Sequence, residues 1–122
     1  LDRFEVVMEG WANINGRGSM NNFHNHPTCL LSGVYYLDTP QGSGNIVFRD
    51  PREAAQVYLP PYAAQAQRPP VAAVTPEPGL LLVFPSWLLH AVEPNAADAD
   101  RISVAFNAIV QPRRTPEPAA IP

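Results

Sequence analysis

The chain contains no lysine: all eight of its basic side chains are arginines. A Schiff-base lysine and the lysine of a phosphate-binding loop are therefore excluded. Cysteine is nearly absent too. Cys29 stands alone, so no internal disulfide can form, and a reducing, cytoplasmic setting is the simpler expectation. No apolar run approaches the ~20 residues of a membrane-spanning helix, and no signal peptide opens the sequence. Basic charge is also scarce. Eight arginines against eleven acidic residues leave a net charge of −3, which argues against a phosphate-backbone footprint and hence against nucleic acid as a partner. The 122 residues suit one domain and leave no room for a second sizeable core. The chain opens at Leu1 without an initiator methionine, so it is expected to start partway into a longer protein, with part of the N-terminal support of its fold missing.

What the chain has in excess is proline, fifteen residues or about 12% against a usual ~5%. Seven of them fall between Pro51 and Pro78 and four between Pro112 and Pro122. This segregation predicts a regular body over 1–111 interrupted by an irregular loop at 51–78, with an irregular tail at 112–122. Within the loop, Val57, Tyr58, Leu59 and Tyr62 offer apolar anchors, and a segment of this length is a candidate cover or substrate-selecting wall.

The body reads as β-structure. Short runs rich in β-branched and aromatic residues cover 4–15, 28–38, 45–49, 79–87, 88–92 and 101–110, with a further short strand at Val71–Val74. The run 28–38 and the run 45–49 are expected to pair as a hairpin across the glycine-bearing segment 39–44. No window shows a 3.6-residue period. The fold class predicted is all-β, a sandwich or jelly-roll barrel.

Three histidines carry the chemical signal. His24 and His26 are spaced so that, in extended backbone, both rings leave one face. His90 follows 64 residues later. Two ligands close in sequence and a distant third form a three-ligand metal site with one side open; an exposed polar turn beside an unrelated histidine is the plainer reading. Arg101 and Ser103 follow His90 and lie on one face of a strand with Ala105 and Asn107, opposite the apolar Ile102, Val104 and Phe106. A guanidinium beside a hydroxyl suits a carboxylate, while an ion pair from Arg101 to Asp98 or Asp100 is the ordinary alternative. Trp11, Phe84 and Trp87 read as core or rim packing, Cys29 as buried and inert, Arg113 and Arg114 as solvated, and Ser86 lacks the partners of a nucleophile.

The segments HNHPTCLLSGVYYLDTPQGSGNIVFRDPR, PGLLLVFPSWLLHAVEPN and RISVAFN, taken in order, resemble the Fe(II)- and 2-oxoglutarate-dependent oxygenases from about Trp11 to Asn107. The resemblance implies a double-stranded β-helix around one iron, with His24, His26 and His90 as metal ligands. It also implies Arg101 and Ser103 as the pair receiving the far carboxylate of 2-oxoglutarate. The strand of Tyr35 and Tyr36 would line the cosubstrate pocket; Tyr36 is carried forward, although sequence does not separate the two. The implied activity is oxidative decarboxylation of 2-oxoglutarate coupled to hydroxylation of a small-molecule or peptide substrate. One departure stands out: the usual second ligand is Asp or Glu, and here it is His26. Asp38 and Asp50 are candidate replacement carboxylates, although both suit strand-end turns, and zinc, manganese or nickel become alternative metals. A cupin-like metal-binding or small-molecule-binding domain without turnover is the second reading, a structural jelly roll the third. A homodimer is left open.

Overall fold

The computed structural model describes residues 3–52 and 71–113, and every regular element within them is a strand. The strands are β1 (Phe4–Asn15), β2 (Asn21–His24), β3 (Leu31–Asp38), β4 (Ile46–Arg49), β5 (Val71–Val74), β6 (Leu81–Pro85), β7 (Leu89–Val92) and β8 (Arg101–Pro112). They form two antiparallel four-stranded sheets, in the orders β1-β8-β3-β6 and β2-β7-β4-β5. This is the jelly roll expected. No helix of the described residues is long and apolar enough to cross a membrane. Residues 53–70 of the expected loop, including Tyr58 and Tyr62, and residues 114–122 of the expected tail lie outside the described residues.

The longest strands make the frame. β1 and β8 pair without interruption from Phe4↔Pro112 to Asn15↔Arg101, and β8 also pairs with β3 along its other edge. β8 thus runs on to Pro112, where proline's missing N–H is tolerated at the very end of a strand. Between the sheets, Val34, Tyr36 and Phe84 from one side meet Ile46 from the other, with Phe48, Val74 and Val92 packed around them. Phe48 and Phe84 touch edge to face at 4.9 Å, a favoured aromatic geometry.

The expected hairpin of β3 with β4 does not form. β3 pairs with β8 and β6 in one sheet, and β4 with β7 and β5 in the other. Both edges of β3 are taken, so the segment after it crosses between sheets. Glycine makes that crossing feasible: Gly42 and Gly44 both have φ +85°, a left-handed conformation that costs other residues energy. The strand expected from residue 28 starts only at Leu31, because the chain turns after Pro27 and Thr28 itself has φ 70°.

Candidate metal centre and cosubstrate pocket

His24 and His90 are direct cross-strand partners between β2 and β7. That register places their rings 4.2 Å apart, centroid to centroid. His26 lies two residues past His24, beyond the end of β2, yet its ring comes within 5.2 Å of both others. One nitrogen from each of the three lies within 4.8 Å of the other two. Nitrogens this close need only draw in slightly to share one ion at the usual metal–nitrogen distance of about 2.0–2.1 Å.

Two of the rings are oriented by backbone carbonyls. His24 Nδ1 is 2.7 Å from the Asn22 carbonyl and His90 Nδ1 is 3.0 Å from the Leu88 carbonyl. A carbonyl only accepts, so each Nδ1 carries a proton, and in the neutral ring the lone pair is then on Nε2. Burial pushes the His90 imidazole down to about 4, against the pull of the Leu88 carbonyl and helped by His24 and His26. Phe84, 4.8 Å from the His90 ring, forms part of the apolar wall responsible. His26 is lowered as well, first by burial and then by His24. Burial thus favours the neutral form of His26 and His90, the state in which imidazole binds a metal.

Among the described residues no carboxylate joins the trio. Asp50 is tied to Arg52 at 2.5 Å, which draws its carboxyl down to about 2. Asp38 sits exposed at the end of β3. The donor set is three imidazole nitrogens, a set that suits a divalent first-row metal.

A cavity of about 90 Å³ between the sheets is lined by the three histidines and also by Tyr36, Arg101 and Ser103. Arg101 opens β8 and is only 3% exposed. Its guanidinium donates to the Ser43 carbonyl, and among the described residues it has no acidic partner. The alternative pairing with Asp98 fails because Asp98 is bound by Arg17 at the surface. Ser103 lies two residues along the same face, opposite Tyr36 of β3. Burial raises the Tyr36 phenol to about 12, partly offset by Arg101, so it stays a neutral hydroxyl. Burial in turn lowers Arg101, while Tyr36 raises it. The two tyrosines separate cleanly: Tyr36 is 2% exposed and faces the cavity, whereas Tyr35 is 38% exposed on the other side.

Some residues of the site escaped the sequence reading. Trp11, read as packing, is half exposed, lines the cavity and lies 6.4 Å from His26. Asn13, Asn15 and Asn21 line it too; their period-two spacing along β1 was the available signal for the first two. Trp87 is exposed and Phe84 buried. Cys29, expected to be buried, is half exposed.

Over the described residues, an eight-stranded jelly roll encloses three histidines that could hold a metal and a buried arginine with no acidic partner among those residues. The sequence matches the family described as "Putative 2OG-Fe(II) oxygenase" over residues 9–107. The chain belongs to that family. Among solved structures, it is similar to an oxidoreductase of the 2OG-Fe(II) oxygenase family from Burkholderia pseudomallei, with TM-score 0.66 and 19% identity over 88% of this chain and 46% of that one. A prolyl-4-hydroxylase from Pseudomonas putida gives 0.60 and 21% over 88% and 53%. Prolyl 4-hydroxylase from Phytophthora capsici gives 0.54 and 20% over 85% and 32%. At these identities the likeness shows the fold. The chain spans about half the length of the first two. No curated protein matches the sequence.

Proposed function

We propose that this chain forms the catalytic barrel of an Fe(II)- and 2-oxoglutarate-dependent oxygenase acting as a hydroxylase on a small-molecule or peptide substrate. The observation that carries the reading is Arg101: a buried guanidinium with no carboxylate partner among the described residues, in the same cavity as three convergent histidines. A buried charge left unpaired is costly. A dianionic cosubstrate spanning the cavity would relieve that cost at one end and supply the missing negative charge at the other. A bound Fe(II) would supply oxygen activation coupled to decarboxylation of the keto acid to succinate.

The residues then have separable tasks. His24, His26 and His90 would hold the metal, and burial already favours the neutral imidazole of His26 and His90. Arg101 and Ser103 receive the far carboxylate by charge-assisted hydrogen bonds. The neutral Tyr36 hydroxyl stands beside them as an added donor. Phe48, Phe84 and Ile46 keep the inner end dry, which strengthens each of these contacts. The cytoplasm, with its reducing poise, is the setting proposed.

Anaerobic titration of the Fe(II)-loaded protein with 2-oxoglutarate tests the reading. A visible charge-transfer band from the chelated keto acid is expected. A protein that binds Fe(II) but develops no band would be a metal-binding barrel of the cupin kind. That outcome has a structural motive, since a three-histidine set lacks the carboxylate of the usual facial triad.

A further inference from the structure

Ser32, Ser86 and Asn107 are 2%, 1% and 6% exposed, and they come from β3, the β6–β7 turn and β8. The Ser32 hydroxyl donates to Asn107 Oδ1 at 2.7 Å and lies 3.0 Å from the Ser86 hydroxyl. A serine has one hydroxyl hydrogen. With that of Ser32 committed to the shorter bond, Ser86 donates to Ser32, and the chain runs Ser86 to Ser32 to Asn107.

The turn at Pro85–Leu88 is where this chain ends, and both its carbonyls of interest point at the metal site. The Ser86 carbonyl accepts the backbone N–H of His26 at 3.0 Å. The Leu88 carbonyl accepts Nδ1–H of His90 at 3.0 Å. One short turn therefore sets the backbone of one candidate ligand and the ring of another. The Leu88 N–H closes the turn on the Pro85 carbonyl at 3.0 Å. If this wall only needed packing, apolar side chains would serve without the cost of desolvating three polar groups. We propose that Ser86, Ser32 and Asn107 are positioning residues for the metal centre, anchoring the β6–β7 turn to β3 and β8 so that His26 and His90 stay aimed at one ion. The inference rests on the three histidines acting as metal ligands.

The test uses Co(II) as the probe metal, read by its visible ligand-field bands and its affinity, beside thermal unfolding of the metal-free protein. Ser86→Ala and Asn107→Leu are each expected to bind Co(II) about 10–100-fold more weakly, the usual effect of losing an outer partner of a ligand, with shifted bands. Ser86→Thr, which keeps the hydroxyl, restores both. The double variant binds about as weakly as either single one, because both cut the same chain. If Ser86→Ala fails to fold, Ser32→Ala removes the middle link and is read in the same way. Unchanged Co(II) affinity and bands in Ser86→Ala or Ser32→Ala, even with a lowered melting temperature, would reduce the trio to core packing and overturn the inference. Wild-type protein that binds no Co(II) would sink the proposed function instead.

Discussion

A small barrel gains nothing in stability from burying a guanidinium that has only a carbonyl for company. Arg101 occupies that position at 3% exposure, so its retention points to a ligand. Arg101→Ala is expected to weaken 2-oxoglutarate binding by about 30-fold to several-thousand-fold, corresponding to ~2–5 kcal/mol for truncating one side of a buried charge pair. Metal affinity measured without 2-oxoglutarate should barely change; equal losses in both, by calorimetry, would mean that Arg101 supports the barrel as a whole. His90 permits a second prediction at this scale. Its folded-state pKa, about 4, lies below the ordinary histidine value of 6.5, so between those values the unfolded chain binds the extra proton and the folded one does not. Stability of the metal-free protein therefore rises with pH across that window. The melting temperature should fall as pH drops from about 6.5 towards 4 and lie flat just above 6.5, and His90→Phe should flatten the slope. A slope unaffected by His90→Phe would place the titration elsewhere.

At the scale of elements, what could be read from sequence was whatever depends on local spacing. The two-residue step from His24 to His26, and from Arg101 to Ser103, already implied shared faces, and the structure brings all four into one cavity. The partner of β3 could not be read that way, since it depends on which edges β8 and β6 occupy. Ser32 and Ser86 were illegible for another reason: a serine in a strand or turn looks like surface until its neighbours are known. The crossing that replaces the expected hairpin invites its own test. A Cβ on Gly44 would lie 2.5 Å from the Glu93 carbonyl oxygen, at φ +85°. Ser43, next to it, offers the carbonyl that holds Arg101. Gly44→Ala should therefore cost on the order of 1–3 kcal/mol of stability from backbone strain, and loosen 2-oxoglutarate binding as well. Chemical denaturation that returns the wild-type midpoint would show that the crossing relaxes freely.

At the scale of the whole molecule, the sheet β1-β8-β3-β6 departs from the usual arrangement in which the water-facing side of a sheet is polar. Along β8 the inward positions are Arg101, Ser103 and Asn107, all buried, while Val104 and Phe106 on the other face are half exposed. The neighbouring strands repeat the apolar outer face. Val6, Met8, Ile14, Tyr35, Leu81 and Val83 are all more than a third exposed on that outer face, and Asp38, at the end of β3, is the charged side chain on it. The polar inward positions of β8 follow from the proposed site, since a barrel that binds a metal and a dianion needs donors inside. The apolar exterior follows from no contact within the described residues. Contiguous apolar surface on this scale is sticky in water. The 122-residue chain should therefore bind an environment-sensitive dye such as ANS in its folded state and self-associate as concentration rises. Val6→Glu with Val83→Lys, placed on the two edge strands of that sheet, should reduce both effects and leave Co(II) binding intact, because neither residue lines the cavity. Dye binding and sedimentation unchanged by the two charges would mean that the outer face is not the adhesive surface.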